Sequence, residues 1–205
     1  TILEALSRAK EGDKSMREEL ERAYNLCSDL GDVAKRYYEG RLKGKESIIK
    51  LFNPIRPALA ERANEPEEVI ERHKTTAAEI KLDGFRTQIH KKGNEVKIFS
   101  RRLENTTASF PEIVKAVKEN VKADEAIIDG EALAYNETTG ELYPFQMTIQ
   151  RKRKHDIAEK AEELPLHVFA FYLIYLDGED LTKKPYTERR RLLEKIIKGD
   201  CSDEK

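Results

Sequence analysis

Tryptophan is absent from this 205-residue sequence, and cysteine and methionine occur only twice each. Cys27 and Cys201 stand far apart without companions, which excludes both a disulfide framework and the paired spacing of a zinc site. The four histidines, His73, His90, His155 and His167, show no metal-ligand spacing either. No apolar run approaches the ~18 residues of a membrane span. The first residues, Thr1-Ile2-Leu3-Glu4, carry neither a signal peptide nor an initiator methionine. The expectation is a monomer without a membrane partner, cytoplasmic (nuclear in a eukaryote), whose chain reads like the middle of a longer one. An excess of one charge is missing too. The 38 Lys and Arg nearly cancel the 39 Asp and Glu, so only local clusters can speak for nucleic acid.

What the chain does have is charge of both signs. Charged residues make up 38 %, against roughly 25 % in an average soluble protein. Lys/Glu richness with so little Cys, Met and Trp suits a thermophile. At this length a substantial core can be buried, in one domain or one and a half.

Residues 1–50 read as helical, with Leu3, Leu6 and Ala9, then Leu20, Ala23, Tyr24 and Cys27, at near-helical spacing. Asp32 is placed to cap a helix over 33–38, and the helices end near Gly40. Pro54 and Pro57 interrupt this pattern and favour an extended path, which sets a boundary near residue 52. A short helix is expected over 67–73 after Pro66. From Ala77 onward the period is mostly two. Residues 75–80 read as extended, and 85–91 and 95–101 flank a hairpin turn at Lys92-Gly93-Asn94. A helix follows over 110–121, then a strand over 126–135 interrupted at Asp129-Gly130. A turn at 136–140 leads to a helix over 144–163. The most apolar stretch, LHVFAFYLIYL at 166–176, reads as the central buried strand. Thr187 is placed to cap a last helix over 188–198. The expected class is α+β: a helical N-terminal segment, residues 1–52, followed by a mainly antiparallel domain over 53–205.

The chemistry concentrates at residues 79–86, EIKLDGFR. An ammonium is not nucleophilic, so a reactive Lys81 needs burial or neighbouring positive charge to shed its proton. Arg86 and Arg101 could supply that field and hold phosphates. A solvent-facing lysine before an ordinary hairpin would look the same locally, and Arg101-Arg102 could equally be a solvated strand end. Glu131 lies inside the apolar AIIDGEALAY, where a carboxylate is costly unless paired or bound to a cation. Beside phosphate-binding side chains it suggests Mg²⁺, which takes one or two carboxylates plus phosphate oxygens; the alternative is the solvent face of a half-buried strand. Phe171 reads as core, with stacking on a base as the second option. Arg151-Lys152-Arg153-Lys154 is either a DNA-phosphate contact or a solvated helix face.

The order of these signals is more specific than any one of them. Lys81-Leu82-Asp83-Gly84-Phe85-Arg86 matches the KxDGxR signature of the covalent nucleotidyltransferases, the superfamily of DNA ligases, RNA ligases and mRNA capping enzymes. Phe99-Ser100-Arg101-Arg102, Ile128-Asp129-Gly130-Glu131, and Phe169-Ala170-Phe171 through Leu176-Asp177-Gly178 follow as in ATP-dependent DNA ligases. Residues 53–60, NPIRPALA, resemble the linker entering their adenylation domain. Pro144-Phe145-Gln146 before the basic run resembles the archaeal and eukaryotic replicative branch.

This resemblance implies an α+β nucleotidyltransferase domain preceded by the end of a helical DNA-binding domain. It implies ATP and Mg²⁺ as cofactors, nicked double-stranded DNA as substrate, and a sliding clamp as a candidate partner. Lys81 would carry AMP as a phosphoramidate, Glu79 would read the adenine, and Arg86 and Arg101 would contact ribose and phosphate. Glu131 would contact ribose or Mg²⁺, and Phe171 would stack on the base. Tyr172 departs from the pattern, which commonly has an acidic residue there. No EGxxxK segment or later lysine-rich strand follows Leu181. The expectation is therefore part of a ligase, with little activity alone; RNA ligase, capping enzyme and non-catalytic DNA-binding module are the alternatives.

Overall fold

The computed structural model describes residues 1–42, 48–136, 138–150 and 164–198. Three helices come first: α1 (Ile2–Glu11), α2 (Arg17–Cys27) and α3 (Leu30–Tyr38). Their apolar faces close on Leu20, Ala23, Cys27, Val33 and Tyr37. Asp29, not Asp32, caps α3: its carboxylate accepts the Asp32 N–H at 2.9 Å. Asp32 instead sits in the first turn and takes Arg36 and Lys50, both at 2.9 Å. Helix α4 (Pro66–His73) starts on its proline and buries no residue.

The sheet is antiparallel, in the order β2 (Glu95–Phe99), β1 (Phe85–Lys92), β3 (Glu125–Asn136), β5 (Leu166–Leu176) and β6 (Glu179–Asp180). A two-residue β4 (Glu141–Leu142) pairs with the far end of β3. The Gly93 backbone, at φ +52°, makes the β1–β2 turn in a conformation that costs glycine least. The central position belongs to β3, which runs unbroken through Asp129-Gly130. The expectation of a central strand at 166–176 is corrected: β5 has only the short β6 outside it, and Phe169 is 37 % exposed. Its apolarity follows from covering α-helices rather than from a central place.

One face of the sheet packs on α5 (Pro111–Asn120) and α7 (Tyr186–Ile196). The core there includes Ile89, Ile98, Phe110, Ile113, Ala126, Ile128, Leu173 and Leu193. Pro185, rather than Thr187, stands at the N-cap of α7. Alternation along β1 and β3 puts Arg86, Gln88 and His90 opposite Glu131, Asp129 and Ile127 on the other face. Half of that face receives the linker and the helical unit. Leu26, Ile49, Ile55, Ile127 and Tyr175 form a bridging cluster, and Gln88 exchanges two hydrogen bonds with the Ile55 backbone (2.7 and 3.1 Å). The other half, around Arg86 and Glu131, is left for a cavity.

Residues 75–80, read as extended, pair with no strand among the described residues, and none is formed over 75–83. All residues of 75–83 but Leu82 are exposed. The Arg151–Lys154 run, His155, Cys201 and the expected helix beyond α6 (Phe145–Gln150) lie outside the described residues.

Candidate active site

Glu79, Lys81, Arg86, Arg101, Glu131 and Phe171 all line one cavity of about 800 Å³. Residues 79–86 form one rim, Ser100-Arg101-Arg102 and Glu104 another. Phe145 and Ile149 of α6 and Phe171-Tyr172 of β5 complete the wall.

Gly84 joins the Lys81 segment to the floor. Its N–H donates to Glu131 Oε1 at 3.1 Å, and a Cβ here would stand 2.5 Å from the Ala132 carbonyl oxygen. Only glycine permits that approach of two backbones. Lys81 itself is exposed, and its Nζ donates to the Leu82 carbonyl at 2.8 Å. It therefore stands at the end of an unpaired segment and lines the cavity.

The floor is an ion pair between Arg86 and Asp129, a carboxylate outside the expected set of site residues. Arg86 Nη2 donates to Asp129 Oδ2 at 2.6 Å, with the side chains 19 % and 9 % exposed. Burial pushes the Asp129 carboxyl above its ordinary value, and the guanidinium pulls the other way. Arg86 Nη1 and Asp129 Oδ1 are buried without a hydrogen-bond partner among the described residues. The signal for Asp129 was in the sequence: a second carboxylate two residues before Glu131 in an apolar strand. Burial also raises Glu131, against the Gly84 N–H and the charges of Lys81 and Arg86.

Arg101 is held outward by a tight turn. The Ser100 N–H donates to the Glu104 carbonyl (2.9 Å) and the Leu103 N–H to the Ser100 carbonyl (2.9 Å), with Leu103 at φ +65°. Arg101 and Arg102 are exposed, without an ion-pair partner among the described residues.

Phe171 reaches the cavity because β5 bulges. The register against β3 passes from Asp129↔Tyr172 to Gly130↔Ala170, leaving Phe171 as the extra residue. A bulge re-aims the side chain that regular alternation would have sent into the helical core. Phe171 and Tyr172 both line the cavity in consequence, their rings edge-on at 5.2 Å. Arg189 lies over Tyr172 at 5.3 Å, and Tyr172 meets Tyr186 edge-on at 6.0 Å. The Tyr186 hydroxyl in turn donates to Glu79 Oε1. That contact joins residues 107 apart and had no signal in the sequence.

The model of the ATP-dependent DNA ligase domain matches residues 57–204. A probable DNA ligase of Dictyoglomus turgidum is 52 % identical over 198 residues, covering 96 % of this chain and 34 % of that protein. A DNA ligase of Sulfophobococcus zilligii is 50 % identical over 202 residues, covering 96 % and 33 %. One of Sulfolobus acidocaldarius is 45 % identical over 199 residues, with the same coverage. Among solved structures, a mycobacterial DNA ligase D complexed with ATP and MES aligns with 58 % of this chain and 35 % of its own, at 26 % identity and a TM-score of 0.45. The chain belongs to the family of ATP-dependent DNA ligase domains. It spans about a third of the length of the curated relatives it matches.

Proposed function

We propose that this chain is the nucleotide-activating part of an enzyme that seals nicks in double-stranded DNA at the expense of ATP. The reading rests on one observation: six side chains spread from residue 79 to residue 171 converge on one cavity in a member of this family. Residues 1–52 belong, on this reading, to the end of a DNA-binding domain, and 53–205 to the adenylation domain.

ATP is the substrate of the first step. Lys81, once it has shed a proton, attacks the α-phosphorus; the N–P bond forms and pyrophosphate leaves with the electron pair of the broken P–O bond. AMP then passes to the 5′-phosphate of the nick, which frees Lys81. The 3′-hydroxyl displaces AMP and closes the phosphodiester. Glu79 accepts from the adenine amino group, and Phe171 stacks on the ring. Arg101, with no counter-ion of its own among the described residues, contacts phosphate, and Arg86 contacts ribose or phosphate from its seat on Asp129.

No group of three or more metal-ligating side chains occurs among the described residues. A Mg²⁺ ion nevertheless suits the donors present, because it takes one or two carboxylates and completes its shell with water and phosphate oxygens. Glu131 supplies that carboxylate: Oε1 is engaged by the Gly84 N–H, and Oε2 has no partner among the described residues. The ion would neutralise phosphate charge as it builds up.

The test is nick closure by the full-length protein, with nicked DNA, nicked RNA, ATP and GTP compared. Sealing of DNA with ATP, abolished by Lys81→Ala, is the expected result. Preference for RNA or for GTP would favour an RNA ligase or capping enzyme, and DNA binding without sealing a non-catalytic module.

A further inference from the structure

Residues 75–83 rest on very little. Among the described residues, only one hydrogen bond ties a side chain of this segment to another element: that from Tyr186, in the first turn of α7, to the Glu79 carboxylate. Lys81 stands two residues further along, with Nζ turned to its own neighbour's carbonyl. Ile80 between them is 75 % exposed and gives no apolar anchor. Tyr186 is firmly placed by contrast. It sits on a helix whose Leu193 and Ile196 are in the core, and its ring meets Tyr172, which Arg189 covers from the same helix.

We propose that Tyr186 is a positioning residue, outside the reacting atoms, that tethers the Lys81 segment over the cavity by binding the Glu79 carboxylate. The phenol occupies Oε1 and fixes the carboxylate plane, leaving Oε2 for a donor on the bound base. Through Tyr172 and Phe171 the same tether links the stacking ring to the base-reading carboxylate. Consistent with this, the hydrogen bond to Glu79 first, and burial second, hold the Tyr186 phenol up at about 12. The inference rests on the proposed adenylation reading for its consequence, but not for the tether itself.

The test uses the full-length protein and two independent readouts of Tyr186→Phe, which removes only the hydroxyl. The first is trypsin cleavage at Lys74 and Lys81 without nucleotide. A hydrogen bond to a charged group holds a segment closed by about tenfold, so cleavage there is expected to quicken about tenfold while sites in the sheet are unchanged. The second is single-turnover labelling with α-labelled ATP. The half-saturating ATP concentration is expected to rise about tenfold, and adding Tyr186→Phe to Glu79→Ala is expected to change nothing further. A merely structural role in α7 would act in both backgrounds. Unchanged cleavage, or equal losses with and without Glu79, would overturn the tether. Faster cleavage in a protein that never forms an adduct would overturn the adenylation reading and with it the tether's role in nucleotide positioning, leaving only a structural contact.

Discussion

Acid is expected to loosen the join between the linker and the sheet through His90. This imidazole is buried on β1, where its Nδ1 accepts the Phe52 N–H at 2.9 Å. With Nδ1 as acceptor, Nε2 carries the proton and donates to Gln88 Oε1 at 3.0 Å, the oxygen that also accepts the Ile55 N–H. A second proton on Nδ1 would set two N–H groups against each other, and burial alone depresses the imidazole from 6.5 to about 3. The sign follows from linkage. The unfolded chain takes up a proton below 6.5 and the folded one does not, so the stabilisation is complete above 6.5 and is lost as pH falls toward 3. At about 1.36 kcal/mol per pH unit, the loss approaches about 2.7 kcal/mol between pH 6.5 and 4.5, with a ceiling near 5 kcal/mol. Urea unfolding at pH 7, 5.5 and 4.5 should be compared with His90→Asn, whose amide oxygen can still accept the Phe52 N–H. Carboxylates titrate alike in both proteins, so the difference isolates His90. Parallel stability curves would refute the assignment of a neutral, linker-bound histidine.

Gly84→Ala would place a methyl 2.5 Å from the Ala132 carbonyl and 2.6 Å from Leu133 Cγ; a loss of about 1–3 kcal/mol in unfolding free energy is expected, as for other overpacked sites. Equal stability would mean that the two backbones are not in close approach. Asp129→Asn leaves Arg86 without its counter-charge and is expected to cost about 1–3 kcal/mol, less than a fully buried pair because Arg86 keeps some access to water. Combining Asp129→Leu with Arg86→Met should recover thermal stability without recovering ATP use; recovery of both would remove Arg86 from the nucleotide site.

The sequence carried the order of the site but not its shape. Local patterns were enough for the helical segment, the hairpin around Gly93 and the helix after Phe110, because each depends on neighbours within a few residues. The cap of α3 was read at Asp32 instead of Asp29, because both carboxylates suit an N-cap and only the backbone shows which one accepts the N–H three residues on. Strand order was not legible: β5 is more apolar than β3, yet β3 has long partners on both sides. Nor was the aim of Phe171, because a bulge is a mismatch between two strands and leaves no mark on either alone. The Arg86–Asp129 and Tyr186–Glu79 contacts are products of tertiary packing across 43 and 107 residues. Ordering the motifs by family resemblance named six cavity residues, while the side chains that hold them in place came only from the fold.

The most direct test of the account is where AMP becomes attached. The full-length protein should be incubated with α-labelled ATP and Mg²⁺, digested and mapped by mass spectrometry. The account predicts an acid-labile AMP adduct on Lys81, absent from Lys81→Ala and returned to free AMP only when nicked DNA is added and sealed. An adduct on another residue, or one that survives Lys81→Ala, would contradict it.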